Sequence, residues 1–242
     1  MPLRALLNGN DFLAFNLTEE NRHQDYLCPI CNKKFISVIP SYDIIKYFRH
    51  EEGTEHFGEP ETIEHLKIKQ RVFFESQALG WIATLEQPIG DHVTDVELLK
   101  TNGWGKIIGR VAVEVQCSPI SYEEYEDRNS TYLCEFIDNL WVFAGTHFSH
   151  ISERFKHDRG YDIQRSLRLH RKIMRLQNSP LVVINSLTGQ ASKIFYSHPL
   201  YTFGDSKYFH VTNFQRRFNA STLGWYKKEP IALSQILSRY IS

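Results

Sequence analysis

The sequence predicts a mixed α/β fold, and three observations predict it. Between Val93 and Cys117, two runs rich in β-branched and apolar residues flank Asn102-Gly103-Trp104-Gly105, where glycine accepts positive φ at little cost. Two segments, 60–77 and 162–177, repeat apolar residues at helical spacing. Near the N-terminus, Cys28-Pro29-Ile30-Cys31 offers two thiolates from one tight turn, the start of a zinc-ribbon-like module.

Taken in order, residues 3–16 read as a hairpin about Asn8-Gly9, a strong turn signal. A polar linker, 18–25, leads to the cysteine knuckle, with a short strand at Phe35–Pro40 behind it. The first helix is expected from Pro60 to about Gln77. Proline suits a first helical turn, and Glu61 and Glu64 suit the positive helix start. Ile63, Leu66, Gln70 and Phe73 trace its inward stripe. Trp81–Glu86 reads as a strand, Pro88-Ile89-Gly90 as a turn, and Val93–Leu99 and Ile107–Cys117 as the paired strands. Ser121 with Glu124 forms a capping box that starts a second helix, running to about Tyr132. Strands at Leu140–Ala144 and Leu181–Asn185 bracket the helix over 162–177.

Composition narrows the function classes. In 242 residues, 42% are hydrophobic and 13% aromatic, enough for a packed core rather than a disordered chain. Acids and bases balance at 28 each, so no global basic field announces a nucleic-acid partner, and local patches must carry any such reading. Four cysteines, two of them in the knuckle, argue against a disulfide framework and for a reducing, cytoplasmic setting. No apolar run approaches the roughly 18 residues a membrane span needs, and the N-terminal apolar stretch breaks at Asn8-Gly9-Asn10, unlike a signal peptide.

Several residues carry candidate chemistry. Structural zinc needs two ligands beyond Cys28 and Cys31. His50 and His56, in a loop rich in glycine and glutamate, are the simplest pair, with His65 and His23 as competitors. The bland alternative is a reduced cysteine pair that packs as small apolar side chains. In the central hairpin, alternation puts Glu114 and Gln116 on one strand face. Pairing of the two strands brings Asp95 near Glu114, an oxygen site for a hard divalent cation. Glu61, His65 and Lys69 fall at i, i+4 and i+8. Taken alone, they read as a solvated helix face with ordinary ion pairs. Arg165, Arg168, Lys172 and Arg175, with Arg171 beside them, make a basic helix face that suits phosphate contact or simple solvation. Residues 201–225 interleave aromatic and basic residues, a pattern of base stacking and equally of an ordinary amphipathic surface.

In this order and spacing, the motifs resemble the competence protein CoiA-like family of the PD-(D/E)XK nuclease superfamily. The resemblance rests on the early hairpin with Gly9, the knuckle, and Phe48-Arg49-His50. It rests equally on Glu61-Thr62-Ile63-Glu64-His65 with Lys69, similar to the family's E-S-x-x-H-x-x-x-K helix. Asp95-Val96 looks like its A-D-V strand, and Glu114-Val115-Gln116 with Ser118 and Ile120 like E-x-Q-x-S-x-I. Arg128, Tyr132 and Trp141 fall where the family has R, Y and W. Coverage is roughly 3–145, with 146–242 unmatched.

The resemblance implies a restriction-endonuclease-like core sheet flanked by helices. It divides the chain into an N-terminal hairpin and knuckle (1–58), a nuclease core (59–145) and a C-terminal extension (146–242). Asp95, Glu114 and the Val115 carbonyl would hold Mg²⁺ or Mn²⁺, with Glu61 as a supporting acid and Glu64 as its fallback. Zinc would be structural. The broad superfamily places lysine where Gln116 stands. Glutamine can only orient a water, so Lys69 is expected to supply the missing positive charge from the helix. The expected function is a metal-dependent nuclease acting on DNA, more than RNA, in uptake, recombination or repair. The alternatives are a zinc-containing nucleic-acid-binding protein without cleavage, and a partner-binding protein with solvated helix faces.

Overall fold

The computed structural model describes residues 1–41, 45–51 and 61–144, together with strands at 181–184, 190–194 and 231–232. The mixed α/β class holds, with two sheets and two helices among the described residues. His56, the helix predicted over 162–177 with Arg165, Arg168, Arg171, Lys172 and Arg175, and residues 201–225 lie outside them.

The N-terminal sheet contains β1 (Arg4–Leu7), β2 (Asn10–Leu13), β3 (Tyr26–Leu27), β4 (Lys34–Val38) and β5 (Tyr47–His50), in the order β2-β1-β3-β4-β5. Asn8 (φ 53°) and Gly9 (φ 78°) make the tight turn predicted between the first two strands. Phe35, Tyr26 and Phe48 are buried and pack ring on ring, with Tyr26–Phe48 centroids 4.9 Å apart. His50 belongs to strand β5, paired with Phe35, rather than to the expected loop.

Helix α1 (Ile63–Ala78) starts three residues after the expected Pro60. Thr62 is its N-cap, its hydroxyl accepting from the His65 N–H at 3.2 Å, so a side-chain cap rather than proline sets the boundary. Leu66, Ile68, Val72 and Phe73 form the buried face. Lys69 lies on that face too, 1% exposed, which overturns the reading of Glu61, His65 and Lys69 as a solvated stripe.

The larger sheet is built on β6 (Ile82–Ile89), β7 (His92–Thr101), β8 (Ile107–Gln116), β9 (Asp138–Ala144), β10 (Leu181–Ile184), β11 (Gln190–Ile194) and β12 (Ile231–Ala232). They run in the order β12-β11-β10-β9-β8-β7-β6. Strands β6 to β8 are antiparallel, whereas β9 and β10 are parallel. Pro88, expected in a turn, pairs with Val93 inside the β6–β7 ladder, and the turn falls at Gly90 (φ 56°) and Asp91. Helix α2 (Tyr122–Cys134) follows β8, with the Ser121 hydroxyl accepting from the Glu124 N–H at 3.0 Å, the predicted cap.

The chain divides into two compact units, 1–114 with 128–140, and 115–127 with 141–242. In the first, the N-terminal sheet is tied to β6: Glu86 accepts from the Leu3 N–H at 2.7 Å and the Arg4 N–H at 3.2 Å. Ile89, Ala112, Tyr132 and Ile137 form an apolar cluster of the same unit. In the second, Tyr125 packs on Trp141 at 4.9 Å, and Trp141, Val142, Phe143 and Ala144 are buried.

Candidate metal and nuclease site

The register of the central strands builds the site. Val96 pairs with Val113 across β7 and β8, and Leu85 with Val96 across β6 and β7. In that register Glu86 lies between the paired Leu85 and Gln87, Asp95 between Thr94 and Val96, and Glu114 directly after Val113, so three neighbouring strands bring a row of acids to one level of the sheet. Glu86 has φ 53°, a left-handed backbone unusual for a side-chain-bearing residue inside a strand and a local strain of the kind found at functional sites.

Helix α1 lies against this row. Lys69 Nζ sits 2.6 Å from Glu61 Oε1, 2.8 Å from Glu86 Oε1 and 3.6 Å from Asp95 Oδ1. Burial alone pushes the Lys69 ammonium toward losing its proton. Glu86, Glu61 and Asp95 more than reverse this and hold its pKa well above the ordinary lysine value. Lys69 is therefore charged and almost sealed from water. Glu61 precedes the helix proper, and its return toward the first turns lets it meet both His65 and Lys69.

His65 Nε2 lies 3.1 Å from Asp95 Oδ1, and His65 Nδ1 lies 3.8 Å from Glu61 Oε1. His65 Nε2 and Glu61 Oε2 are buried and form no hydrogen bond of good geometry among the described residues, although the Met1 N-terminal ammonium lies 3.5 Å from Glu61 Oε2. Ligand atoms of Glu61, His65 and Asp95 all lie within 4.8 Å of one another. Burial opposes protonation of His65, but Asp95 outweighs it and raises the imidazole pKa above its ordinary value.

Glu114 has a separate set of partners. Arg128 Nη1 donates to its Oε2 at 2.8 Å, and the Tyr132 hydroxyl donates to its Oε1. Burial, with the Asp95 charge, pushes the Glu114 carboxyl up to about 7, although Arg128 and Tyr132 pull it down. The Thr94 hydroxyl donates to the Val113 carbonyl at 3.2 Å. Gln116 turns its amide nitrogen to the Ser118 carbonyl (2.7 Å) and hydroxyl (3.2 Å). Val115 is buried.

The predicted residues Glu61, Lys69 and Asp95 thus meet, while Glu114 stands beside them with both carboxylate oxygens engaged. Glu86 was missed because the turn was placed at Pro88. With the turn at Gly90-Asp91, counting back from Asp95 reaches Glu86 directly. His65 was legible as a member of the helix stripe, and Arg128 and Tyr132 as motif positions.

A second cluster lies in the N-terminal sheet. Cys28, Cys31 and His50 offer ligand atoms within 4.8 Å of one another, and Cys31 Sγ is 3.4 Å from His50 Nε2. Asn32 (φ 57°) turns the knuckle, and the Ile30 N–H points at Cys28 Sγ at 3.4 Å. His65 takes no part in this group, since it lies with Glu61 and Asp95.

No curated protein and no solved structure matches the chain. A family model does, that of the competence protein CoiA nuclease-like domain, over residues 61–230. The match starts at Glu61, leaving the knuckle outside, and runs well past 145, taking in residues 146–230 of the stretch that the motif resemblance left unmatched. It contains every member of the buried cluster around Lys69 and covers well over half of the sequence, and so the chain belongs to the competence protein CoiA family through its nuclease-like domain.

Proposed function

We propose that the protein is a metal-dependent nuclease that hydrolyses DNA phosphodiester bonds, with its site at Glu61, His65, Lys69, Glu86 and Asp95 on a restriction-endonuclease-like core. One observation carries the reading. A sealed lysine ammonium is held by three carboxylates beside two buried ligand atoms, Glu61 Oε2 and His65 Nε2, that have no hydrogen bond. Three carboxylates face the Lys69 ammonium, with the Met1 N-terminal ammonium 3.5 Å from Glu61 Oε2, so acids outnumber the bases and the cluster stays suited to a cation. Structural ion-pair networks are usually saturated, whereas here Glu61 Oε2 has only a 3.5 Å contact with the Met1 ammonium and no hydrogen bond among the described residues, which leaves it able to take a cation.

The donor set fits such a cation. Asp95 and Glu61 supply oxygens, as Mg²⁺ and Mn²⁺ require, and the His65 imidazole favours Mn²⁺ over Mg²⁺. When bound, the cation supplies Lewis-acid charge neutralisation and an acidified water. The chain's own residues do the rest. Lys69 draws Glu61, Glu86 and Asp95 close together, and Glu86 fastens that arrangement to the backbone of Leu3 and Arg4 at the start of β1. The Glu114 carboxyl, pushed up to about 7, exchanges a proton near neutral pH, which suits a proton-exchanging group beside the metal ligands better than a first ligand. The reading does not rest on Val115 or Gln116. Cys28, Cys31 and His50 would hold structural zinc with a fourth ligand.

The test is nicking of plasmid and single-stranded DNA with Mg²⁺ or Mn²⁺. Wild-type protein should cleave, faster with Mn²⁺, and Asp95→Asn should lower the rate about a hundredfold or more. Binding without turnover in wild type would support the non-cleaving alternative instead. Cleavage that survives in Asp95→Asn would overturn the assignment of the site.

A further inference from the structure

The β7–β8 hairpin ends in a feature that the metal site does not use. Trp104 is 94% exposed at its tip, and Ile107 and Ile108 beside it are more than half exposed. The tip is held rigidly. Asn102 Oδ1 accepts from the N–H groups of Trp104 and Lys106, each at 3.0 Å. The Asn102 N–H donates to the Lys106 carbonyl and the Gly105 N–H to the Asn102 carbonyl, both at 2.9 Å. Gly105 (φ 74°) closes the turn. An indole at a fixed tip with no packing partner loses the usual benefit of a large aromatic side chain, so the site is shaped for contact rather than for the core.

The charge around the tip selects the partner. The whole chain is balanced, yet 98–109 contains Lys100 and Lys106 and no acidic residue. Arg110 follows and is paired to Glu97 at the base of the hairpin. Lys106 is exposed next to the indole. Lys100 Nζ lies 5.5 Å from the centre of the Trp81 ring, so Lys106 supplies the charge beside the indole. An aromatic plane with a cation next to it fits a nucleic-acid strand whose bases are free to stack and whose phosphate faces Lys106. A paired duplex hides its base faces, and an apolar protein partner gains nothing from an acid-free, lysine-flanked rim.

We infer that Trp104 is a stacking platform for unpaired bases, with Lys106 on the adjacent phosphate, so that the hairpin tip selects single-stranded or frayed DNA. The inference rests on the nuclease reading and gives its substrate class.

The test is binding of a fluorescent oligothymidylate and of a blunt duplex of equal length, by anisotropy with Ca²⁺ replacing the catalytic ion. Trp104→Ala should weaken single-strand binding about tenfold or more and duplex binding less than about threefold, while Trp104→Phe stays within about threefold of wild type. Unchanged single-strand affinity in Trp104→Ala, or equal loss on both DNAs, overturns the inference. So does a change of oligomeric state in Trp104→Ala with DNA binding intact, since the tip is then a contact between copies. Hydrolysis of bis(p-nitrophenyl) phosphate separates the two readings. Trp104→Ala should retain it, and its absence in wild type would sink the nuclease reading while leaving the stacking result standing.

Discussion

Lys69 illustrates how one residue can hold a site in a state that its neighbours alone could not sustain. Glu61, Glu86 and Asp95 are drawn together by an ammonium that is 1% exposed. Removing one partner from a buried ionic group strands the others, at a cost of about 3–5 kcal/mol. Lys69→Met should therefore destabilise by that order in denaturant unfolding at neutral pH, whereas a change below about 0.5 kcal/mol would place the amine in water. Glu114 gives the pH counterpart. Its carboxyl shifts from an ordinary 4.5 to about 7 among Asp95, Arg128 and Tyr132, so between those values the folded chain keeps a proton that the unfolded chain has released. Stability from this group is therefore full below about 4.5 and is lost as pH rises through 7, by up to ~1.4 kcal/mol per unit. Without added divalent cation, wild type minus Glu114→Gln should show this falling slope between pH 5 and 7. A flat difference would mean that Glu114 ionises normally. Residue types at Glu61, Asp95 and Lys69 were readable from spacing, whereas their convergence was implied only by the family resemblance. It depends on Lys69 entering the core, which helical periodicity disfavours for a charged side chain.

At the level of elements, the local rules worked where local chemistry dominates and slipped where pairing does. Asn8-Gly9, Asn102–Gly105 and the Ser121 cap were legible because turn and cap preferences are short-range. Pro88 was read as a turn because proline cannot donate to a ladder, yet β6 ends the order of the larger sheet, where proline is tolerated. That single displacement concealed Glu86. The start of α1 shifted for a similar reason, since Thr62 caps more strongly than Pro60 begins. Thr62→Ala should cost about 1 kcal/mol in urea unfolding and loosen the turn that carries His65. Gly90 marks the corrected turn. With φ 56°, and with an added Cβ only 2.6 Å from Thr131 Cγ2, it leaves no room for a side chain. Gly90→Ala should destabilise by about 1–3 kcal/mol, and Thr131→Ser should recover only the part due to the clash, because the backbone strain stays.

Across the whole molecule, the family match and the N-terminal sheet meet at Glu86. Its carboxylate belongs to the nuclease-like domain that begins at Glu61, yet it is gripped by the backbone of Leu3 and Arg4. Zinc at the knuckle should therefore be felt at the nuclease site. Cys28, Cys31 and His50 bring β5 against the knuckle, and β5 shares its sheet with β1, at whose start the Leu3 and Arg4 N–H groups hold Glu86. A metal that closes the sheet would limit the freedom of β1, and so of Glu86 and Lys69, without touching the cation proposed at Asp95. Purified protein should contain about one zinc per chain by elemental analysis, falling well below that in Cys28→Ser. The coupling would show as a lower melting temperature together with weaker Mn²⁺ affinity at the Asp95 site, measured by calorimetry. Zinc loss that lowers the melting temperature but leaves Mn²⁺ affinity unchanged would show that the sheet stabilises the chain without ordering the acids, and Glu86 would then be held by α1 alone.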